Sequence, residues 1–314
     1  MIAYVVQRLV STIPVLFLVS LGVFSLIHLT PGDPVTIMLG EERDQRVIEA
    51  TRRELGLDQP VPVQYAVWLG RAVRGDLGKS IRSKQPVSEL IGQRLPATTE
   101  LAVLSIVLAL VVALPAGIVS AVKRGTALDL AATAASLLGV AVPSFFLGIL
   151  LIFVLALHLR WLPPTGYVSP TVDLATSLKL MVMPAITLAA GSAAVITRIA
   201  RSSLLEVLDQ EYVLTARAKG LREAIVIRRH ALRNALIPVV TVAGLSAGHL
   251  LGGAVIVEQI FALPGVGRLA VENIFNRDFP VVQGVVLFLA LVFLAVNLVV
   301  DLLYAYLDPR IKYG

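Results

Sequence analysis

LAVLSIVLALVVALPAGIVSAV, Leu101 to Val122, contains no Lys, Arg, Asp or Glu. A helix rises about 1.5 Å per residue, so roughly 20 such residues cross the hydrocarbon of a bilayer. The run is apolar on every face, which suits a lipid-exposed or packed span and not a surface helix of a soluble domain. Five further blocks share this character. They are Leu9 to Leu29, Leu130 to Leu157, Leu180 to Thr197, Ala235 to Val257 and Val281 to Val300. Pro14, Pro115, Pro143, Pro184 and Pro238 fall inside the blocks. Proline is tolerated there because neighbouring helices satisfy the backbone groups it frees. The fourth block is the shortest. The first is too long for a signal-peptide core and lacks a small-residue cleavage site, so it reads as a retained span.

Composition agrees. The chain has 314 residues, 57 % of them hydrophobic, 15 % charged, and no Cys. Soluble domains carry roughly 25 % charged residues. A disordered chain, a disulfide scaffold and a thiolate zinc site are excluded. A net charge of +6 would ordinarily raise nucleic acid as a partner. Here the positive charge reports topology instead, and no nucleic-acid partner is expected.

With the N-terminus inside, the inner segments hold thirteen Lys and Arg, eight of them between Arg198 and Arg233. The short outer loops hold four: Arg160, Lys179, Arg268 and Arg277. The asymmetry predicts both termini on the cytoplasmic side. The segment from Thr30 to Glu100 is then extracytoplasmic, long enough to translocate regardless of charge. Within it, Val47 to Leu55 and Val63 to Ala72 read as helices, punctuated by Gly and Pro. The chain divides into three parts. Residues 1–93 are an N-terminal span with a long outer segment. Residues 94–306 are a five-span core containing a cytoplasmic segment, 198–234. Residues 307–314 are a cytoplasmic tail.

The cytoplasmic segment reads RIARSSLLEVLDQEYVLTARAKGLREAIVIRRHALRN, Arg198 to Asn234. Leu204, Leu205 and Leu208 stand at helical spacing. Asp209 suits the N-cap of a new helix carrying Tyr212, Val213 and Ala216. Gly220 ends that helix, since glycine adopts left-handed backbone angles without a Cβ clash. A second helix comes next, with Leu221, Ala224, Ile225, Leu232, Ala235 and Leu236 on one side and Arg222, Arg228, Arg229 and Arg233 over the rest. This pattern fits two roles: a basic loop lying on the membrane surface, or a short helix presented to a groove on a soluble partner. Spacing alone does not separate them.

Chemistry-bearing motifs are sparse. VRGDLGKS, Val73 to Ser80, lacks the first glycine of a phosphate-binding loop and lies in the outer segment. No HExxH occurs, four His are scattered, and no nucleophile stands beside a base. Inside the spans, His28, His249 and Asn297 are the polar side chains that an ion-coupled secondary transporter would use. His249 and Asn297 are candidates to line a pathway, set against the plainer role of bonding neighbouring helices. Beyond the fifth span, Glu258, Phe261, Pro264 and Gly265 form either an ordinary turn with an interfacial Phe or an element near the outer mouth.

The chain resembles the permeases of the dipeptide/oligopeptide/nickel ABC importer family. The resemblance rests on YVxTARAKGL…RHALRNALIP between Tyr212 and Pro238. It extends to YxxxRLxxxIPVLxxVSxxVFxxxHLxPGDP from Tyr4, LGLDQP at Leu55, GDLGKS at Gly75 and RLPATTELA at Arg94. GGAVIVEQIFALPGVGRL at Gly252 and NLVVDLLYAYLDPR at Asn297 complete it. The broader EAA coupling-loop pattern is matched at Ala216, Gly220 and Leu232, while Arg233 stands where that pattern has Pro. The resemblance implies an all-α polytopic protein of six transmembrane helices with the type I ABC importer permease fold. It implies coupling to an ATPase through Tyr212, Ala216, Arg217, Ala218, Lys219, Gly220, Leu221 and Leu232. It also implies a second homologous permease, two ATPase subunits that use ATP and Mg, an extracytoplasmic binding protein, and a peptide or related solute. No cofactor is expected on this chain itself.

Overall fold

A computed structural model describes residues 2–29, 32–33, 35–36, 44–54 and 56–307. The prolines of the LTPGDP stretch, Leu55 and the tail 308–314 lie outside the described residues. The described chain is helical. Its elements are α1 (Ile2–Leu29), α2 (Gln45–Glu54), α3 (Val61–Val73), α4 (Val87–Val122), α5 (Ala127–Ala141), α6 (Ser144–Leu151), α7 (Leu174–Leu208), α8 (Glu211–Ala218), α9 (Glu223–Ile225), α10 (Leu232–Ile260), α11 (Val266–Phe275) and α12 (Phe279–Leu307).

Five of these helical stretches are long and apolar enough to cross a bilayer, and they contain five of the six apolar blocks. The remaining block, Leu130 to Leu157, is not one straight helix. It is the pair α5 and α6, bent by 104°. The cause is local. Val142 precedes Pro143, whose ring clashes with a helical backbone at the residue before it. Val142 accordingly adopts φ −80°, ψ 120°, and the chain restarts as α6 with Pro143 at its N-cap. α6 then runs into a wide turn, Ile152–His158, with i→i+5 hydrogen bonding.

The fourth block is longer than its apolar core suggests. Asp173 opens α7 by accepting the Ala175 and Thr176 amides at 3.0 and 3.2 Å, and the Thr176 hydroxyl holds its carboxyl below the usual range. The helix continues for 35 residues, roughly 52 Å, well past Arg198. The first residues assigned to the cytoplasmic segment are therefore a continuation of this span.

Two compact units are distinguished. One comprises, among the described residues, 2–5, 99–263 and 295–307. Its core joins Leu101, Met181, Met183, Leu188, Val257, Phe261 and Leu263, and a second layer of small residues lets α4, α7 and α10 approach. At Gly117 in α4 a Cβ would stand 2.7 Å from the Ala200 Cβ of α7 and 2.9 Å from the Thr197 carbonyl oxygen, so only glycine fits. Beside that approach, Arg201 of α7 grips Asp129 of α5 through two parallel bonds of 2.7 and 2.9 Å. Ser120 of α4 and the Gly125 amide donate to the same carboxylate. One ion pair thereby fastens three helices.

The other unit comprises residues 6–98 and 264–294. Val87, Ile91, Val266, Leu269, Val281 and Val285 form its core. Asp278, 1 % exposed, accepts from the Ser80 hydroxyl at 2.6 Å and the Ile81 amide at 3.1 Å. The Val266 amide donates to Thr98 Oγ1 at 2.8 Å. α1 and α3 meet through Phe24, Tyr65 and Trp68, with the Tyr65 hydroxyl 2.8 Å from Ser20 Oγ. The two helices expected in the outer segment are present as α2 and α3.

Candidate coupling site

The segment between α7 and α10 is a turn–helix–turn seated on its own small core. Leu204 and Leu208 of α7, Val213 and Ala216 of α8, and Val226, Ala231 and Ala235 beyond it are buried together. The Ser203 hydroxyl donates to the Ala235 carbonyl at 2.9 Å, closing the two long helices over this core.

α8 begins differently from the sequence expectation. Asp209 caps the end of α7, and Gln210 stands at the N-cap of α8. Because α7 persists to Leu208, the aspartate is consumed by the preceding helix. The end of α8 matches expectation. Gly220 has φ 75°, its amide donates to the Arg217 carbonyl at 2.9 Å, and the Leu221 amide reaches the Ala216 carbonyl at 3.4 Å. This is the paired-bond Schellman ending, which requires a left-handed residue at the glycine position. No atom lies within 4 Å of where a Gly220 Cβ would sit, so glycine is demanded by the backbone angle and not by crowding.

The second helix also departs from its expected face. Leu221, Ala224 and Ile225 are exposed, whereas Val226, Ala231 and Ala235 are buried. The wide turn Val226–Ala231 inserts one residue into the helical register. An inserted residue rotates everything before it by about 100° relative to everything after it, which moves the apolar positions of the first turn outward.

The eight residues singled out from sequence therefore divide. Ala216 is buried and Leu232 packs partly on the same core. Tyr212, Ala218, Lys219, Gly220 and Leu221 are exposed, and Asn234 Nδ2 donates to the Tyr212 hydroxyl at 2.9 Å. Arg217 forms a bidentate pair with Glu223 at 2.7 and 3.2 Å, bridging the glycine turn. The Glu223 carboxylate raises the guanidinium's affinity for its proton. Glu223 was not singled out from sequence; six residues apart across a turn, the pair has no helical spacing to betray it. Leu214 and Ile225 are 52 % and 39 % exposed; Ile225 was missed as a surface residue for the register reason just given, and Leu214 was not singled out. Tyr212 and Leu221 are likewise exposed, at 43 % and 38 %, so the segment carries apolar side chains on its surface beside the basic residues of the turn.

Elsewhere, His249 is exposed on α10 with Nδ1 2.9 Å from the Leu245 carbonyl oxygen, and Asn297 is half-buried on α12. Glu258 and Phe261 are fully buried at the end of α10, so Phe261 is a core residue and not an interfacial one. Pro264 is half-buried, and Gly265 is buried at the N-cap of α11.

Two family models cover almost the whole chain. The "Binding-protein-dependent transport system inner membrane component" model matches residues 113–313, and its N-terminal companion matches residues 1–102. The chain belongs to this family of ABC importer permeases. The permease is 44 % identical over 313 residues, all of both chains, to the glutathione transport system permease protein GsiC of Escherichia coli (strain K12). It is 44 % identical over 314 residues, again end to end, to a putative peptide transport system permease protein of Brucella abortus (strain 2308). Among solved structures, a subunit of the MetNI methionine ABC transporter in an inward-facing conformation matches with a TM-score of 0.58 at 18 % identity, covering 70 % of the permease and 96 % of that chain. An amino acid ABC transporter with histidines matches with a TM-score of 0.52 at 17 % identity, covering 71 % and 95 %. At these identities the solved structures establish the fold. The permease is a multi-pass membrane protein of an ABC importer, and the ion-coupled secondary transporter is not favoured.

Proposed function

We propose that this permease carries peptides, of dipeptide, oligopeptide or glutathione-like size, across the inner membrane by alternating access. It pairs with a second permease and receives solute from an extracytoplasmic binding protein. Two ATPase subunits that bind ATP and Mg supply the energy, the permease itself having no nucleotide site. Both termini and the 198–234 segment face the cytoplasm, and residues 1–93, 94–306 and 307–314 act as outer extension, transport core and inner tail.

The observation that carries this reading is the set of exposed apolar side chains Tyr212, Leu214, Leu221 and Ile225. It is held on a segment whose other side is fixed to the span ends. A surface-lying loop would turn such residues into lipid and leave them without a partner of defined shape. A groove on an ATPase buries them, and closure of the ATPase pair then drags α7 and α10 together, switching access. Full-length likeness to a glutathione permease and a peptide permease supports the solute class. His249, Asn297, Glu258, Phe261, Pro264 and Gly265 remain candidates for the pathway and the outer mouth.

The experiment is reconstitution into proteoliposomes. The permease alone is expected to show no ATP hydrolysis. With its ATPases, second permease and binding protein it is expected to couple hydrolysis to uptake of a radiolabelled dipeptide. Sustained hydrolysis by the permease alone, with contaminating ATPases excluded, would overturn the subunit assignment.

A further inference from the structure

The unit built from residues 6–98 and 264–294 contains a cavity of about 360 Å³ to which the transport cycle assigns no role. That volume holds on the order of ten waters and lies within the range of small-molecule sites. Its chemistry is divided. Phe24 and Ile27, both buried, and the half-buried Trp68 supply an apolar wall. Arg71, Lys79 and Lys84 also line it and are exposed, so they form a cationic rim, with Asp76 as the single acid among the described lining residues. Asp76 is engaged, accepting from the Gly78 amide at 3.0 Å.

Between rim and wall lies Gln64, 9 % exposed. Its Nε2 donates to the Gln59 carbonyl at 2.6 Å, which fixes the orientation of the amide. Its Oε1 then points away as an acceptor, buried and without a partner among the described residues. A buried amide oxygen left unpaired costs about 1–3 kcal/mol, and a cavity lining that retains one is suited to a molecule that brings an N–H.

We propose that this cavity is a binding site for a small zwitterion with an apolar side chain. Its carboxylate sits at the Arg71–Lys79–Lys84 rim, its ammonium N–H reaches Gln64 Oε1, and its side chain lies against Phe24, Ile27 and Trp68. An amino acid or dipeptide has this chemistry in free solution, and an aminophospholipid headgroup has an anion and an ammonium in similar proximity. We assign the free solute, because the rim is exposed and the volume admits no acyl chain in addition to a headgroup. The site does not depend on which solute the assembled importer carries.

The test uses the full permease in phosphatidylcholine nanodiscs. The chain has two Trp, and Trp161→Phe leaves Trp68 as the sole indole reporter. Titration with leucyl-phenylalanine is expected to change Trp68 fluorescence saturably. The C-terminal amide and the N-acetyl form of the same dipeptide are each expected to bind at least tenfold more weakly. Lys84→Ala, an exposed change that leaves the fold alone, is expected to weaken binding several-fold, and Gln64→Leu to abolish it. Absence of a saturable change, or a change indifferent to both substitutions and to both blocked peptides, would overturn the proposal. So would a Trp68 response seen only when phosphatidylethanolamine replaces phosphatidylcholine. Because the readout is binding to the isolated permease, failure of transport in the assembled importer leaves this result standing, and the reverse holds.

Discussion

Gly220 supplies the left-handed backbone angle that ends α8. A β-branched residue at φ 75° brings Cβ against the following carbonyl, at roughly 1–2 kcal/mol. The space around the position is open, so the penalty stays in the turn and does not spread into the spans. Gly220→Val is expected to insert at normal abundance but to lose most uptake and ATPase co-purification. Gly220→Asn, which tolerates left-handed angles, is expected to keep the larger part of both. Glu223 is unsuitable as a silent comparison because it pairs with Arg217 across the turn; exposed Arg229 serves instead. Wild-type uptake in Gly220→Val would remove the coupling role, and its loss from the membrane would make Gly220 a folding residue.

At the scale of elements, the packing of α4 on α7 is set by the absence of a side chain at Gly117. Gly117→Ala forces a methyl to 2.7 Å from Ala200, and overpacking of this kind costs about 1–3 kcal/mol. The thermal midpoint of the purified permease should fall for Gly117→Ala. Gly22→Ala, where no atom lies within 4 Å of the added carbon, should not lower it. Equal midpoints would show that α4 and α7 separate freely. The Asp129–Arg201–Ser120 knot belongs to the same contact, and Asp129→Asn should lower the midpoint as well, since it removes the charge that both guanidinium bonds rely on.

How far these elements were legible in the sequence depends on the physical origin of each. Charge-free blocks announce spans because the bilayer acts on every residue of the block. Gly220 announced its turn because one backbone angle excludes other side chains. The bend at Val142 was signalled by Pro143 but not its size, since Pro14, Pro184 and Pro238 lie inside helices that continue. The exposure of Ala224 and Ile225 was illegible because one inserted residue resets the register, and no single side chain in Val226–Ala231 marks it. Asp129 and Arg201 stood 72 positions apart, joined only by tertiary packing.

For the whole molecule the open quantity is sidedness. The chain has no native Cys, so single Cys residues report without background. With Gln45→Cys and Arg222→Cys, an impermeant maleimide applied to spheroplasts is expected to label position 45 and spare position 222 until the membrane is opened. The opposite pattern would invert the assignment of both termini and of the segment between α7 and α10. Either residue is exposed, so accessibility is decided by the membrane and not by burial in the protein.

The length of α7 has a mechanical consequence. Pro184 interrupts its hydrogen bonding near one end, while 24 residues of unbroken helix extend from there to Leu208. At about 1.5 Å per residue that arm measures roughly 36 Å. A pivot of about 10° at the proline sweeps the far end through about 6 Å, a full helical turn of travel. A helix pivoting there would act as a lever: a displacement of α8 at the far end would reach the ten-residue arm on the other side of Pro184 reduced about 2.4-fold, with the force multiplied by the same ratio. A small, forceful shift between tightly packed spans is what breaking and remaking their contacts requires, and a long, gentle stroke at the other end is what a pair of closing ATPases can deliver.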